Sequence, residues 1–278
     1  MLRYVPAIFH VPRSSVPSLP ETSSAKPDVV APAKDAATVM LLRDTAAADG
    51  IEVFLQHRVG AMAFAAGMTV FPGGGVDKRD ADASVSWAGP EPARWATWFG
   101  CSDSLARALV CAAVREMFEE SGVLLAGSSD AAVTDTSRYA DERAALVSRQ
   151  LSLAGFLADA GLTLRADLLR PWANWVTPEA ETRRYDARFF VAVLPEGQEA
   201  DGATTEAESS GWQRPLAAIA DAEAGRRALM PPTWCILREL ADYPTAAAVL
   251  AECEARESIP KITPRIAVDG DSIRVELP

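Results

Sequence analysis

Arg115-Glu116-Met117-Phe118-Glu119-Glu120-Ser121-Gly122-Val123 is the stretch from which the rest of the chain is best read. Ahead of it Leu105, Leu109, Ala112, Ala113 and Met117 recur at helical spacing, with Asp103 or Ser104 placed to cap the start and Gly122 to end it. On such a helix Glu116, Glu119 and Glu120 stand at i, i+3 and i+4 and share one face. Three carboxylates within reach of one ion suit a hard divalent cation, which takes oxygen ligands and completes its shell with water and phosphate. Arg115 precedes Glu119 by four residues, where a guanidinium pairs with the carboxylate and fixes its rotamer. A solvated acidic face is the competing reading, because like charges at this spacing cost only about 0.2–0.5 kcal/mol. What surrounds the helix decides between them.

Upstream, residues 37–43 and 51–58 are apolar, partly β-branched runs on either side of Asp49-Gly50, the pattern of two antiparallel strands. Thr69-Val70-Phe71 reads as a third short strand, stopped by Pro72 and the glycines Gly73, Gly74 and Gly75. Residues 81–104, with Trp87, Trp95 and Trp98 among Pro, Gly and acidic residues, read as an insertion with packing of its own. Downstream, a helix is expected over 138–160, strands over 172–177 and 188–194, helices over 216–223 and 232–256, and a hairpin around Asp269-Gly270-Asp271. Strands interleaved with helices make this an α/β chain. Residues 1–36 are read as a flexible extension, since 11–34 hold much Pro, Ser and Ala and few large apolar groups; Leu2, Tyr4, Ile8 and Phe9 before them can still pack on a partner. The remainder, 37–278, is read as one domain.

The chain has 278 residues, 49% of them hydrophobic, enough for a sizeable core. Its net charge of −11 argues against nucleic acid as a partner, because neutralising a phosphate backbone takes clustered Lys and Arg. No apolar run is long enough to span a bilayer, and residues 1–37 hold no signal-peptide core, so a cytoplasmic protein without a membrane partner is expected. Cys101, Cys111, Cys235 and Cys253 form no metal-ligand spacing and are read as free thiols.

With these residues in view, Arg115 to Val123 matches the second half of the Nudix signature without departure, and Phe71-Pro72-Gly73-Gly74 resembles its first half, with Asp80 at the first acidic position. Thirty-five positions separate Asp80 from Arg115 against eight in the compact signature, so about 27 residues are inserted. A box split in this way resembles the branch of the Nudix hydrolases that includes the peroxisomal coenzyme A diphosphatases. Trp175 to Pro178, Arg183 to Phe190 and Pro231 to Thr233 extend the resemblance over most of residues 37–240.

The resemblance implies an α/β/α sandwich with a mixed central sheet and the box helix packed on it. It implies a hydrolase of a diphosphate linkage in a small nucleotide derivative, dependent on Mg²⁺ or Mn²⁺. Glu116, Glu119 and Glu120 are then the metal ligands, with Glu116, Glu119 and Arg115 the catalytic set, and Gly73 and Gly74 offer backbone groups to metal or phosphate. Which group serves as base stays open; Glu206 and Glu208 lie where a loop carboxylate can approach. Arg58, Arg183 and Arg184 either grip phosphate or solubilise strand ends. His57 is read as an ordinary strand residue. Coenzyme A or an acyl-coenzyme A is the first candidate substrate, on the stretch Leu55 to Arg58, Phe64 and Gly67 to Gly74, which departs from the coenzyme A pattern at Ala63. ADP-ribose, NADH and dinucleoside polyphosphates are alternatives, as is a catalytically silent nucleotide-binding module. A homodimer is left open.

Overall fold

The computed structural model describes residues 8–12, 30–47, 49–59, 67–204 and 207–278. In chain order the strands are β1 (Ile8–Pro12), β2 (Ala33–Asp44), β3 (Ile51–Arg58), β4 (Thr69–Val70), β5 (Gly73–Gly75), β6 (Trp87–Ala88), β7 (Ala126–Gly127), β8 (Thr163–Arg165), β9 (Leu169–Val176), β10 (Arg184–Val193), β11 (Ala207–Gln213), β12 (Lys261–Ile262), β13 (Arg265–Asp269) and β14 (Ser272–Glu276). The helices are α1 (Pro92–Phe99), α2 (Asp103–Ser121), α3 (Ala140–Val147), α4 (Leu153–Asp159), α5 (Pro215–Glu223), α6 (Pro231–Leu240) and α7 (Ala246–Glu254).

The central sheet runs β11-β3-β2-β10-β9-β12, with β4 on β3 and β5 on β2. It is mixed: β2 and β10 are parallel, as are β9 and β12, and the remaining pairs are antiparallel. Both faces are covered, so the central strands are apolar on both sides. Val39, Leu41 and Phe190 point to the layer of α1, α2 and α4, while Met40, Leu42 and Val191 point to α5, α6 and α7. This is the expected α/β/α sandwich.

Several boundaries differ from the sequence reading. The stretch 1–36 is not wholly an extension: β1 pairs with β14, Phe9 is buried and stacks on Trp234 at 4.8 Å, and β2 already begins at Ala33. Residues 13–29 lie outside the described residues. Ser102, rather than Asp103 or Ser104, caps α2 by accepting from the Leu105 amide. The helix expected over 138–160 breaks into α3 and α4 at Arg149, whose left-handed φ of 61° ends α3 without a glycine. The one expected over 232–256 divides at Asp242 to Thr245, where Pro244 cannot donate an amide.

The insertion is packed onto the domain. Trp95 and Trp98 are buried at 5.0 Å from each other, Trp95 lies against Phe190, and the Trp98 indole donates to the Arg256 carbonyl. Cys101 is half-buried and the other three cysteines are buried; all four are free thiols. Burial pushes Cys111 and Cys253 up to about 12, which keeps them protonated and unreactive.

Candidate active site

Nineteen residues of α2 end on Gly122, whose φ of 73° is the left-handed turn that glycine adopts without a Cβ penalty. The last turn of a helix leaves four carbonyls without partners inside it. Here each is met from a different direction. The Gly122 amide donates to Phe118, the Arg143 guanidinium on α3 to Glu119, the Gln56 side chain on β3 to Glu120, and the Asp201 amide to Ser121. Arg143 is itself held by two hydrogen bonds to the Asp201 carboxylate. The turn bearing Glu119 and Glu120 is thus pinned to the sheet, to α3 and to the loop after β10.

The split signature closes in space. A one-turn 3-10 helix, Lys78–Ala81, brings the buried Asp80 against α2, where Arg115 Nε and Nη2 each donate to its carboxylate at 2.9 Å. The same guanidinium donates to Glu116 Oε1 at 2.7 Å, to Glu119 Oε1 at 3.4 Å and to the Gly75 carbonyl at 3.0 Å. Burial alone would lower the Arg115 pKa. The Asp80 hydrogen bonds and the charges of Glu116, Asp80 and Glu119 outweigh it, so Arg115 is held more firmly charged than usual. Beside it Arg79 bonds Asp77 and holds that carboxyl down to about 2.

The glycines serve closeness as well as turning. A Cβ at Gly74 would stand 2.5 Å from Glu116 Oε1, so a larger residue there would displace that carboxylate from its bond with Arg115. The Gly73 amide donates to Glu120 Oε2 at 2.8 Å, so this backbone group orients a carboxylate where phosphate or metal had been expected as its partner.

A cavity of about 690 Å³ opens over this arrangement, and Gly73, Gly74, Arg58, Arg115, Glu116, Glu119 and Glu120 all line it. Of the expected site residues Arg183 is the exception: it is exposed between β9 and β10 and is not part of the lining. Arg184 is spent on the carbonyls of Ala31, Thr177 and Pro178. His57 sits beside Thr69 and 3.9 Å from the exposed Glu208, and neither His57 nor Glu208 lines the cavity. Glu206, Ala63 and Phe64 lie outside the described residues. No residue from 81 to 104 is in the lining, so the insertion shapes the core rather than the cavity. Sequence reasoning passed over Arg143 and Asp201, and it did not see Gln56 as a support for the helix end. Their bonds are tertiary and leave no local pattern.

Whether these residues fit a divalent cation is tested by their charge. Around Arg115 stand Asp80, Glu116 and Glu119, with Glu120 one residue on, and the side chains of Glu116 and Glu119 are only 12% and 15% exposed. Glu116, Glu119 and Glu120 line the cavity together with the basic side chains of Arg58, Lys78, Arg79, Arg115 and Arg149. Among the described residues no three acidic, His or Cys side chains converge as a formed metal site, because Arg115 Nη1 bonds both Glu116 and Glu119. The donor set, carboxylate oxygens from Glu116, Glu119 and Glu120, nonetheless fits a hard cation.

Comparison with known proteins agrees with this geometry. The family described as NUDT19 Nudix domain matches residues 101–240, just over half of the chain. A Caenorhabditis elegans protein carrying the name nudix hydrolase 7 is 30% identical over 166 residues, which is 59% of this chain and 46% of that protein. The chain therefore spans about half the length of that relative. The crystal structure of a NUDIX hydrolase from Alicyclobacillus acidocaldarius superposes with a TM-score of 0.70 at 27% identity, covering 80% of this chain and 97% of that one. A box rejoined in space, a matching family over half the residues and a shared fold over four fifths of them lead to one conclusion: the chain belongs to the Nudix hydrolases, in the family of the NUDT19 Nudix domain.

Proposed function

We propose that the chain hydrolyses a diphosphate linkage in a nucleotide derivative with the help of Mg²⁺ or Mn²⁺, coenzyme A or an acyl-coenzyme A being the first candidate substrate. The observation that carries this reading is that Glu116, Glu119 and Glu120, three oxygen donors from one end of α2, all line one cavity. Glu116, Glu119 and Glu120 would hold the ion, which supplies charge neutralisation at the phosphate oxygens and makes water a better nucleophile. Arg115 positions Glu116 and Glu119 from behind, anchored by Asp80. Gly74 keeps the approach to Glu116 open. Arg58, in the same lining, offers a guanidinium to a phosphate group. Arg183 lies outside the lining.

A panel of coenzyme A, acyl-coenzyme A, ADP-ribose, NADH and dinucleoside polyphosphates with Mg²⁺ or Mn²⁺ tests the reading, with products identified by mass spectrometry. Two monophosphate products are expected from the true substrate. Glu119→Gln is expected to abolish turnover while the circular dichroism spectrum is retained, and unchanged turnover in that variant would sink the metal assignment. Calorimetric binding of a nucleotide without product in saturating metal would instead make the chain a binding module.

A further inference from the structure

Four tryptophans of this chain give their indole protons to the protein, and a fifth does not. Trp87 and Trp95 donate to the Pro90 carbonyl, Trp98 to the Arg256 carbonyl and Trp172 to the Glu239 carboxylate. The indole N–H of Trp175, a residue only 3% exposed, meets no acceptor among the described residues. Trp175 lines the cavity, and none of the other four does. An indole nitrogen is a donor and nothing else, and when buried it ordinarily pairs. A ligand that brings an acceptor to this wall supplies the partner that the protein withholds.

Strand register places that donor relative to the glutamates. Trp175 on β9 stands in one row with Ala187, Ala36 and Gly75 across β10, β2 and β5. All four line the cavity, and the Gly75 carbonyl binds Arg115, so the row runs from the acidic wall to the indole. Three strand spacings make it about 14 Å long. The two side chains between are methyl groups and carry no acceptor. Lining residues of β9, β10 and α6 include the hydroxyl-bearing Tyr185 and Thr233 but no charged side chain. A phosphate at that end would lack a countercharge, and a neutral acceptor needs none. We infer that Trp175 is a specificity-determining residue, its Nε1 donating to a carbonyl oxygen or ring nitrogen on the part of the substrate remote from the cleaved linkage. This rests on the diphosphate hydrolase reading for what sits at the glutamates.

Nuclear magnetic resonance of the full chain in EDTA, isotope-labelled at its indole nitrogens, reads this donor directly. Trp175→Phe identifies the resonance; should that variant fail to fold, the indole is assigned through bonds from its own backbone amide. Three probes are titrated: ADP brings ring nitrogens, phosphopantetheine brings amide carbonyls, and inorganic diphosphate brings neither. The Trp175 indole proton is expected to move downfield with ADP or with phosphopantetheine, which names the source of the acceptor, and to stay in place with inorganic diphosphate. Trp175→Phe is expected to weaken binding of that same probe by roughly twofold to tenfold, the worth of one neutral hydrogen bond, and to leave inorganic diphosphate unaffected. A resonance that neither organic probe moves, or that inorganic diphosphate moves as far, overturns the inference, as does equal weakening of all three probes by Trp175→Phe. Product formation in the metal-supplemented panel is read separately. A downfield shift without product removes the hydrolase and leaves the donor, while product without the shift removes the donor and leaves the hydrolase.

Discussion

Two buried arginines in this molecule sit among carboxylates, on the same face of the same sheet, and only one of them lines the cavity. Arg115 faces Asp80, Glu116 and Glu119. Arg188, on β10, faces Asp35 and Asp186, and Lys261 bonds Asp186 from β12 at 2.8 Å while the Asn174 amide donates to it at 2.6 Å. The second cluster balances two cations against two carboxylates and lies outside the cavity lining, Ala187 beside it excepted. Arg115, Glu116 and Glu119 of the first line the cavity. An arginine ringed by acids is thus no evidence of chemistry; carboxylates that reach an accessible volume are.

Arg115→Met breaks the comparison most severely. It leaves the buried Asp80 with the Asp77 amide, which donates to it at 2.8 Å, and removes the cation between Glu116 and Glu119. Taking one member from a buried ion pair costs about 3–5 kcal/mol, so urea denaturation should show a loss of that order. A loss below about 1 kcal/mol, the range of an exposed pair, would mean that Asp80 and Arg115 do not hold the split box together.

A divalent ion should sharpen the contrast at the next level of effect. Mn²⁺ at a hundred times its dissociation constant stabilises a protein that binds it only when folded by about 2.7 kcal/mol. The native chain should show that gain in a melting experiment. Glu116→Gln and Glu119→Gln should lose most of it, while a variant of the Arg188 cluster should keep it. Equal stabilisation of all of them would place the ion elsewhere.

The difference between the clusters was only half legible in the sequence. Glu116, Glu119 and Glu120 could be placed on one helical face because helix period is local, and Asp80 could be assigned to the box through family resemblance. That Asp80 and Arg115 meet is a tertiary fact across the insertion. The second cluster was invisible, since Asp35, Asn174, Asp186, Arg188 and Lys261 come from four strands and are joined by register alone. For the same reason β1, whose partner β14 lies at the opposite end of the chain, was read as extension. Arg149, which breaks the helix expected over 138–160, carries none of the Gly or Pro signals by which breaks are read.

Arg188→Met gives the smallest effect and the sharpest check on charge balance. Asp35 is 38% exposed and rehydrates when its partner is removed, and Asp186 keeps both Lys261 and Asn174. The loss should therefore be that of hydrogen bonds to a charged group, about 1.5–3 kcal/mol, and less than that of Arg115→Met measured in the same denaturant. Turnover of the substrate found in the panel should be unchanged, since Arg188 touches neither the cavity nor α2's glutamates. If instead Arg188→Met matched Arg115→Met in stability and abolished turnover, the two clusters would be one coupled network, and access to the cavity would no longer distinguish the carboxylates around Arg115 from those around Arg188.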